Sequence, residues 1–114
     1  MYHNAVPHWS ETFAATHLEQ HGLKILEINY RIRGGEIDII ALEPDGTTVF
    51  VEVKQRKSNS HGTPGESITA RKAMLVRRAA LHYLGRDDIA CRFDAMLIEG
   101  DQKALKLEWV KDAF

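Results

Sequence analysis

Two apolar runs joined by a turn constrain this chain more than anything else in it. "RGGEIDIIALE" (33–43) and "TTVFVEVKQ" (47–55) are rich in β-branched residues, and the "EPDGTT" that links them (43–48) combines Pro with Asp-Gly. Such a pattern predicts two strands in an antiparallel hairpin. A hairpin alone is marginal in water, so further elements must cover it. The runs also carry residues that a core does not want: Glu36 and Asp38 in the first, Glu52 and Lys54 in the second.

Side chains on a strand alternate between faces. Strict alternation puts Ile37 and Ile39 on one face of the first strand, with Glu36, Asp38 and Ile40 on the other. On the next strand it puts Val49, Val51 and Val53 on one face, with Phe50, Glu52 and Lys54 opposite. Neighbouring strands then let Asp38 approach Glu52, with Lys54 one step along. A sheet with one solvated face gives the same alternation. Two converging carboxylates, however, form a hard-oxygen site suited to Mg²⁺ or Mn²⁺. An ion held there polarises a phosphodiester and acidifies a bound water, which a nearby ammonium orients. Asp38, Glu52 and Lys54 are therefore the candidate catalytic residues.

The rest of the chain supplies cover. "WSETFAATHLEQHG" (9–22) reads as a helix with Ser10 as N-cap and Gly22 as its stop, and "LKILEINYRI" (23–32) as a first strand. "RKSNSHGTPGE" (56–66) is loop-like, "SITARKAMLVRRAALHYLG" (67–85) is a helix capped by Thr69 or Ser67, and "CRFDAMLIEG" and "ALKLEWV" are two more strands. The order helix, three strands, helix, two strands predicts an α/β fold: a mixed five-stranded sheet flanked by helices.

A chain of 114 residues, 44% hydrophobic and 27% charged, is sized for one compact domain. Residues 10–114 are read as that domain and 1–9 as a flexible tail. The net charge of −1 excludes a chain that is basic throughout, so any nucleic-acid surface must be local. The single cysteine, Cys91, excludes an internal disulfide. The first residues lack the apolar core of a signal peptide, and no apolar run approaches the roughly 20 residues of a membrane span. A cytoplasmic protein is expected. The six histidines form no metal pattern; His17 and His21 have chelate spacing but no third ligand. Trp9, Tyr30, Tyr83 and Trp109 are expected in the core or an interface.

Asp38 followed by "EVK" at 52–54 resembles the PD-(D/E)xK nuclease core, with Ile37 where that motif has its Pro. The ordered set "GEIDIIA", "VFVEVKQR", "ARKAMLVRRAALHYL", "RFDAMLI" and the terminal "AF" resembles the YraN family, a widespread bacterial family usually described as endonucleases. The resemblance runs from Ser10 to Phe114. That family is similar in turn to archaeal Holliday-junction resolvases. The fold implied is a restriction-endonuclease-like core. The activity implied is metal-dependent hydrolysis of structured or branched DNA.

Carried over residue by residue, the resemblance makes Glu11 a third metal acid, in a first helix that has Ser-Glu where the family usually has Gly-Glu. It gives the Val53 carbonyl an inner-sphere place and puts Lys72 at the start of the second helix, facing the site or the substrate. A helix-start Glu favoured by the macrodipole is the plainer account of Glu11. Arg56 is either a phosphate contact or a solvated strand end. Arg71, Arg77 and Arg78, with Arg31 and Arg33, offer a local basic rim. Asp94 is expected to pair with a basic residue rather than bind metal. DNA is the expected partner, with RNA admitted, and a homodimer would face a two-fold junction. The alternatives are a nucleic-acid-binding module of the same fold that does not cut, and a structural partner in a DNA-processing complex.

Overall fold

The computed structural model describes residues 8–56, 68–101 and 103–114, with Arg56 and Asp101 as backbone only. The elements are α1 (Trp9–Gln20), β1 (Lys24–Ile32), β2 (Gly35–Leu42), β3 (Thr48–Arg56), α2 (Ala70–Leu84), β4 (Cys91–Asp101) and β5 (Ala104–Val110). The expected tail lies outside the described residues as far as residue 7, while His8 and Trp9 belong to α1 and its cap. The expected loop at 56–66 lies outside them beyond Arg56.

The five strands form one sheet in chain order, with β3 in the centre. β1–β2, β2–β3 and β4–β5 are antiparallel, and β3–β4 is parallel. This is the mixed α/β arrangement read from the sequence. A parallel pair cannot be joined by a tight turn. Its crossover is the segment containing α2, and its strands run in register from Thr48↔Cys91 to Arg56↔Glu99. The β2–β3 turn closes as the Asp-Gly pair implied: Glu43 N–H donates to the Thr47 carbonyl at 2.9 Å, and Thr47 N–H donates to the Asp45 carboxylate at 2.8 Å.

One helix covers each face. Ala14, Ala15 and Leu18 of α1 pack with Ile39, Ala41, Val49, Val51, Met96 and Ile98. Val76, Ala79 and Ala80 of α2 pack with Tyr30, Ile37, Ile40 and Phe50 on the opposite face. Ile37 and Ile39 therefore lie in different layers, against the expectation that they share one. The alternation loses its phase at Asp38, where β2 parts from β3, and that departure builds the site.

One local reading also changes. The α1 cap is His8 rather than Ser10: the His8 ring Nδ1 accepts the Ser10 N–H at 3.3 Å, and the Glu11 carboxylate accepts the His8 N–H at 3.1 Å. Starting the helix earlier brings Trp9 onto the core beneath α1. Gly35 is the point where β2 touches α2. A Cβ there would stand 2.9 Å from both the Ala79 nitrogen and the Leu75 carbonyl oxygen, so only glycine lets the helix sit this close. Of the two caps read for α2 it is Thr69 that accepts the Lys72 N–H, and Gly85, left-handed at φ 76°, ends the helix.

Candidate metal and phosphodiester site

The site forms where the β2–β3 ladder ends. The pairing runs from Leu42↔Thr48 to Ile39↔Val51 and stops there. Beyond it side chains replace main chain. The Glu52 carboxylate accepts the Asp38 N–H at 3.2 Å, and the Asp38 Oδ2 accepts the Val53 N–H at 2.8 Å. Each acid thus satisfies a backbone donor that the parting strands would otherwise orphan. The same bonds hold the two carboxyl groups close enough to perturb each other.

Glu52 is buried, at 1% exposure, and Asp38 is half-buried. Burial, reinforced by the Asp38 charge and opposed by Lys72, pushes the Glu52 carboxyl up to about 9. Burial also raises Asp38, against the Val53 N–H and the Lys72 charge, which favour its ionised form. Two carboxylates crowded into low dielectric cannot both ionise cheaply without a cation.

Lys72 approaches from α2. Its Nζ lies 2.5 Å from Glu36 Oε1 and 3.3 Å from Glu52 Oε2. Burial opposes the Lys72 charge, but the Glu36 hydrogen bond and the charges of Glu52 and Asp38 outweigh it and raise its pKa. The same hydrogen bond from Lys72 holds Glu36 below its ordinary value. Arg31 stands 3.9 Å from the other Glu36 oxygen.

Asp38, Glu52, Val53, Lys54 and Lys72 line one cavity of about 400 Å³, with Glu11, Ile68 and Thr69 completing its wall. The six positions read from the sequence as catalytic or metal-binding, or as the helix lysine facing them, thus converge. Lys54 is exposed at the mouth. Glu11 lines the wall, but its carboxylate is engaged in the α1 cap. Among the described residues no three His, Cys, Asp or Glu side chains group closely enough to hold a metal together. The donors that are present still fit a hard divalent ion, since Mg²⁺ commonly uses one or two carboxylates and keeps waters. An ion would also relieve the repulsion between Asp38 and Glu52.

The arginines divide. Arg33 and Arg71 are exposed and outside the cavity lining. Arg77 lies over the Phe93 ring, 4.5 Å from its centroid. The Arg56 side chain is outside the described residues. Asp94 is wholly buried and structural: Arg92 grips it at 2.9 Å, while Trp109 Nε1 and the Asp112 N–H donate to it at 2.9 and 3.1 Å. The His17 and His21 rings lie 4.3 Å apart, tilted by 33°, and each stands nearly perpendicular to the Trp109 ring.

Residues 10–98 match the model of the uncharacterised protein family UPF0102. The chain belongs to the UPF0102 family. Similar members include a UPF0102 protein of Dechloromonas aromatica, 52% identical over 92% of this chain and 84% of its own. A Deinococcus radiodurans member is 50% identical over 81% of this chain and 78% of its own, and a Nitrosomonas europaea member 48% over 92% and 89%. The UPF0102 match spans α1 through most of β4, and so every described side chain that lines the cavity.

Glu36, placed by strand alternation on the Asp38 face, was not read as a ligand. Its one sequence signal was charge placement: Lys72 sits in the first turn of a helix that has no acid there, where the macrodipole disfavours a cation. A cation so placed is better tolerated with an acid outside the helix beside it.

Proposed function

We propose that this UPF0102 protein is a cytoplasmic, metal-dependent endonuclease of PD-(D/E)xK type that hydrolyses phosphodiesters in structured or branched DNA. The observation that carries the reading is the reciprocal hold of Asp38 and Glu52 on the parting strands, on the floor of a cavity that also takes Lys54. Asp38 and Glu52 would hold Mg²⁺ or Mn²⁺, with the Val53 carbonyl and Glu11 as further oxygen donors. The bound ion supplies a polarised phosphodiester and an acidified water. Asp38 is fixed by the Val53 N–H, so its free oxygen is aimed rather than swept through rotamers. Lys54 follows Val53 on the same strand and orients the attacking water at the cavity mouth. Arg33, Arg71 and Arg56 serve as phosphate contacts, and a two-fold branched substrate calls for a homodimer. RNA is the competing substrate class. No helix among the described residues is long and apolar enough to cross a membrane.

The test is cleavage of duplex, flap and four-way DNA, and of matching RNA, with Mg²⁺ and with Mn²⁺. The wild type is compared with the double variant Asp38→Asn, Glu52→Gln, whose amide oxygens keep the two backbone bonds. Cutting lost in the variant supports the reading; identical behaviour on every substrate sinks it. A second reading, a nucleic-acid-binding module that does not cut, is favoured by the Lys72 ammonium 3.3 Å from Glu52, which already places a positive charge where a metal would bring one. It predicts metal-independent, salt-sensitive DNA binding by wild type and variant alike.

A further inference from the structure

Lys72 is a cation in an awkward place. It lies in the first turn of α2 with Arg71 beside it and no acid in that turn, so the helix itself disfavours it. Two acids from β2 and β3 hold it there, Glu36 at 2.5 Å and Glu52 at 3.3 Å. The pairs are unequal in setting. Glu36 is about one third exposed at the rim, whereas Glu52 is buried on the cavity floor. The nearer pair is thus the rim pair. Lys72 carries one charge and faces three carboxyl groups, since Asp38 also acts on it.

A divalent ion on Asp38 and Glu52 would be repelled by an ammonium resting on the same Glu52. We propose that Lys72 is the resident counter-ion of the carboxylate pair, competing with the metal for Glu52, and that Glu36 is the positioning residue that draws it to the rim when metal binds. This rests on the metal-site reading above and adds to it a role for Glu36. With metal in place, Lys72 stays anchored through Glu36 at the cavity edge, where its ammonium meets a substrate phosphate. Without Glu36 it has only the buried pair to rest on, and there it opposes the metal.

Mn²⁺ titration by calorimetry, on the full chain without nucleic acid, separates these roles. Lys72→Met keeps the stem and removes the charge; it is expected to bind Mn²⁺ several-fold tighter than wild type. Glu36→Gln is expected to bind it several-fold weaker. The deciding measurement is the double variant Glu36→Gln, Lys72→Met. If Glu36 acts through Lys72, its effect vanishes once Lys72 is gone, whereas a direct pull of Glu36 on the metal would persist. Circular dichroism of each variant confirms that the fold is kept, and Lys72→Arg, which restores the charge, should return affinity toward wild type. Equal Mn²⁺ affinity in wild type and Lys72→Met overturns the proposal, as does an undiminished Glu36→Gln effect in the Lys72→Met background. Failure of the metal site itself looks different: Mn²⁺ then binds wild type no better than Asp38→Asn, and the counter-ion role falls with it.

Discussion

Glu52 and Asp38 take over from the ladder that their strands abandon: each carboxylate accepts a backbone N–H from the other strand, at 3.2 and 2.8 Å. The bonds tie the acids to the main chain, not to a mobile shell, so their spacing is set by the sheet. The arrangement also has a cost, because it buries two like-charged groups side by side.

That cost has a pH signature. The Glu52 carboxyl is displaced from an ordinary value of 4.5 to about 9 by burial and the Asp38 charge. Between those limits the folded protein holds a proton that the unfolded chain releases. Stability from this group is therefore full below about 4.5 and is lost as pH rises toward about 9. The slope approaches roughly 1.4 kcal/mol per pH unit for one proton. Urea denaturation in EDTA at several pH values measures it. Glu52→Gln should flatten the fall, and Mg²⁺ should stabilise the wild type more as pH rises, because it favours the ionised pair. A metal-free stability that climbs from pH 6 to pH 8.5 and is untouched by Glu52→Gln would contradict this.

Gly35 should tolerate no side chain. Alanine would drive a methyl against the Ala79 nitrogen and the Leu75 carbonyl, both backbone atoms of α2 that cannot swing aside. The expected loss is about 1–3 kcal/mol, the usual cost of overpacking. Because α2 carries Lys72, the same substitution should loosen the Lys72–Glu52 pair and raise the Mn²⁺ affinity slightly. Denaturation midpoints and the Mn²⁺ titration read the two effects separately.

Asp94 offers a control acid. It is as buried as Glu52 but fully bonded to Arg92, Trp109 and the Asp112 N–H. Arg92 also reaches Glu43 at 2.9 Å, joining the β2–β3 turn to β4. Arg92→Ala leaves the Asp94 charge buried without its cation, which typically costs about 3–5 kcal/mol. Its Mn²⁺ affinity, measured below the melting range, should match wild type. A loss of metal binding without a loss of stability would mean that Asp94 belongs to the site.

Much of this was legible in the sequence, for reasons that differ by residue. The strands and their order followed from β-branched runs and Asp-Gly chemistry, and the faces of Phe50, Glu52 and Lys54 followed from period two. Ile37 was misplaced because period two holds only while a strand keeps its partner, and β2 leaves β3 at Asp38. No local pattern announces that break. The Lys72–Glu36 pair joins residues 36 positions apart, and its sole trace in the sequence was a cation at a helix start. His8 was passed over as a cap because its ring nitrogen does the work usually given to a Ser or Asp oxygen.

Lys54 should separate chemistry from metal binding. It lines the cavity but is exposed and lies beyond the two acids on β3. Unlike Lys72, it makes no hydrogen bond or ion pair with Asp38, Glu52 or Glu36 among the described residues. Removing it therefore leaves the Asp38–Glu52 bonds intact. On the endonuclease reading, Lys54→Met should keep the Mn²⁺ affinity and the melting temperature of wild type while kcat falls about 10²–10³-fold, the usual effect of deleting one charge-stabilising group. KM should change little, because the contribution is made as charge develops and not in the bound ground state. Single-turnover cleavage of a four-way DNA at saturating Mg²⁺ measures the rate. A rise in KM with kcat unchanged would recast Lys54 as a phosphate anchor and leave the water to be oriented by another group at the cavity mouth.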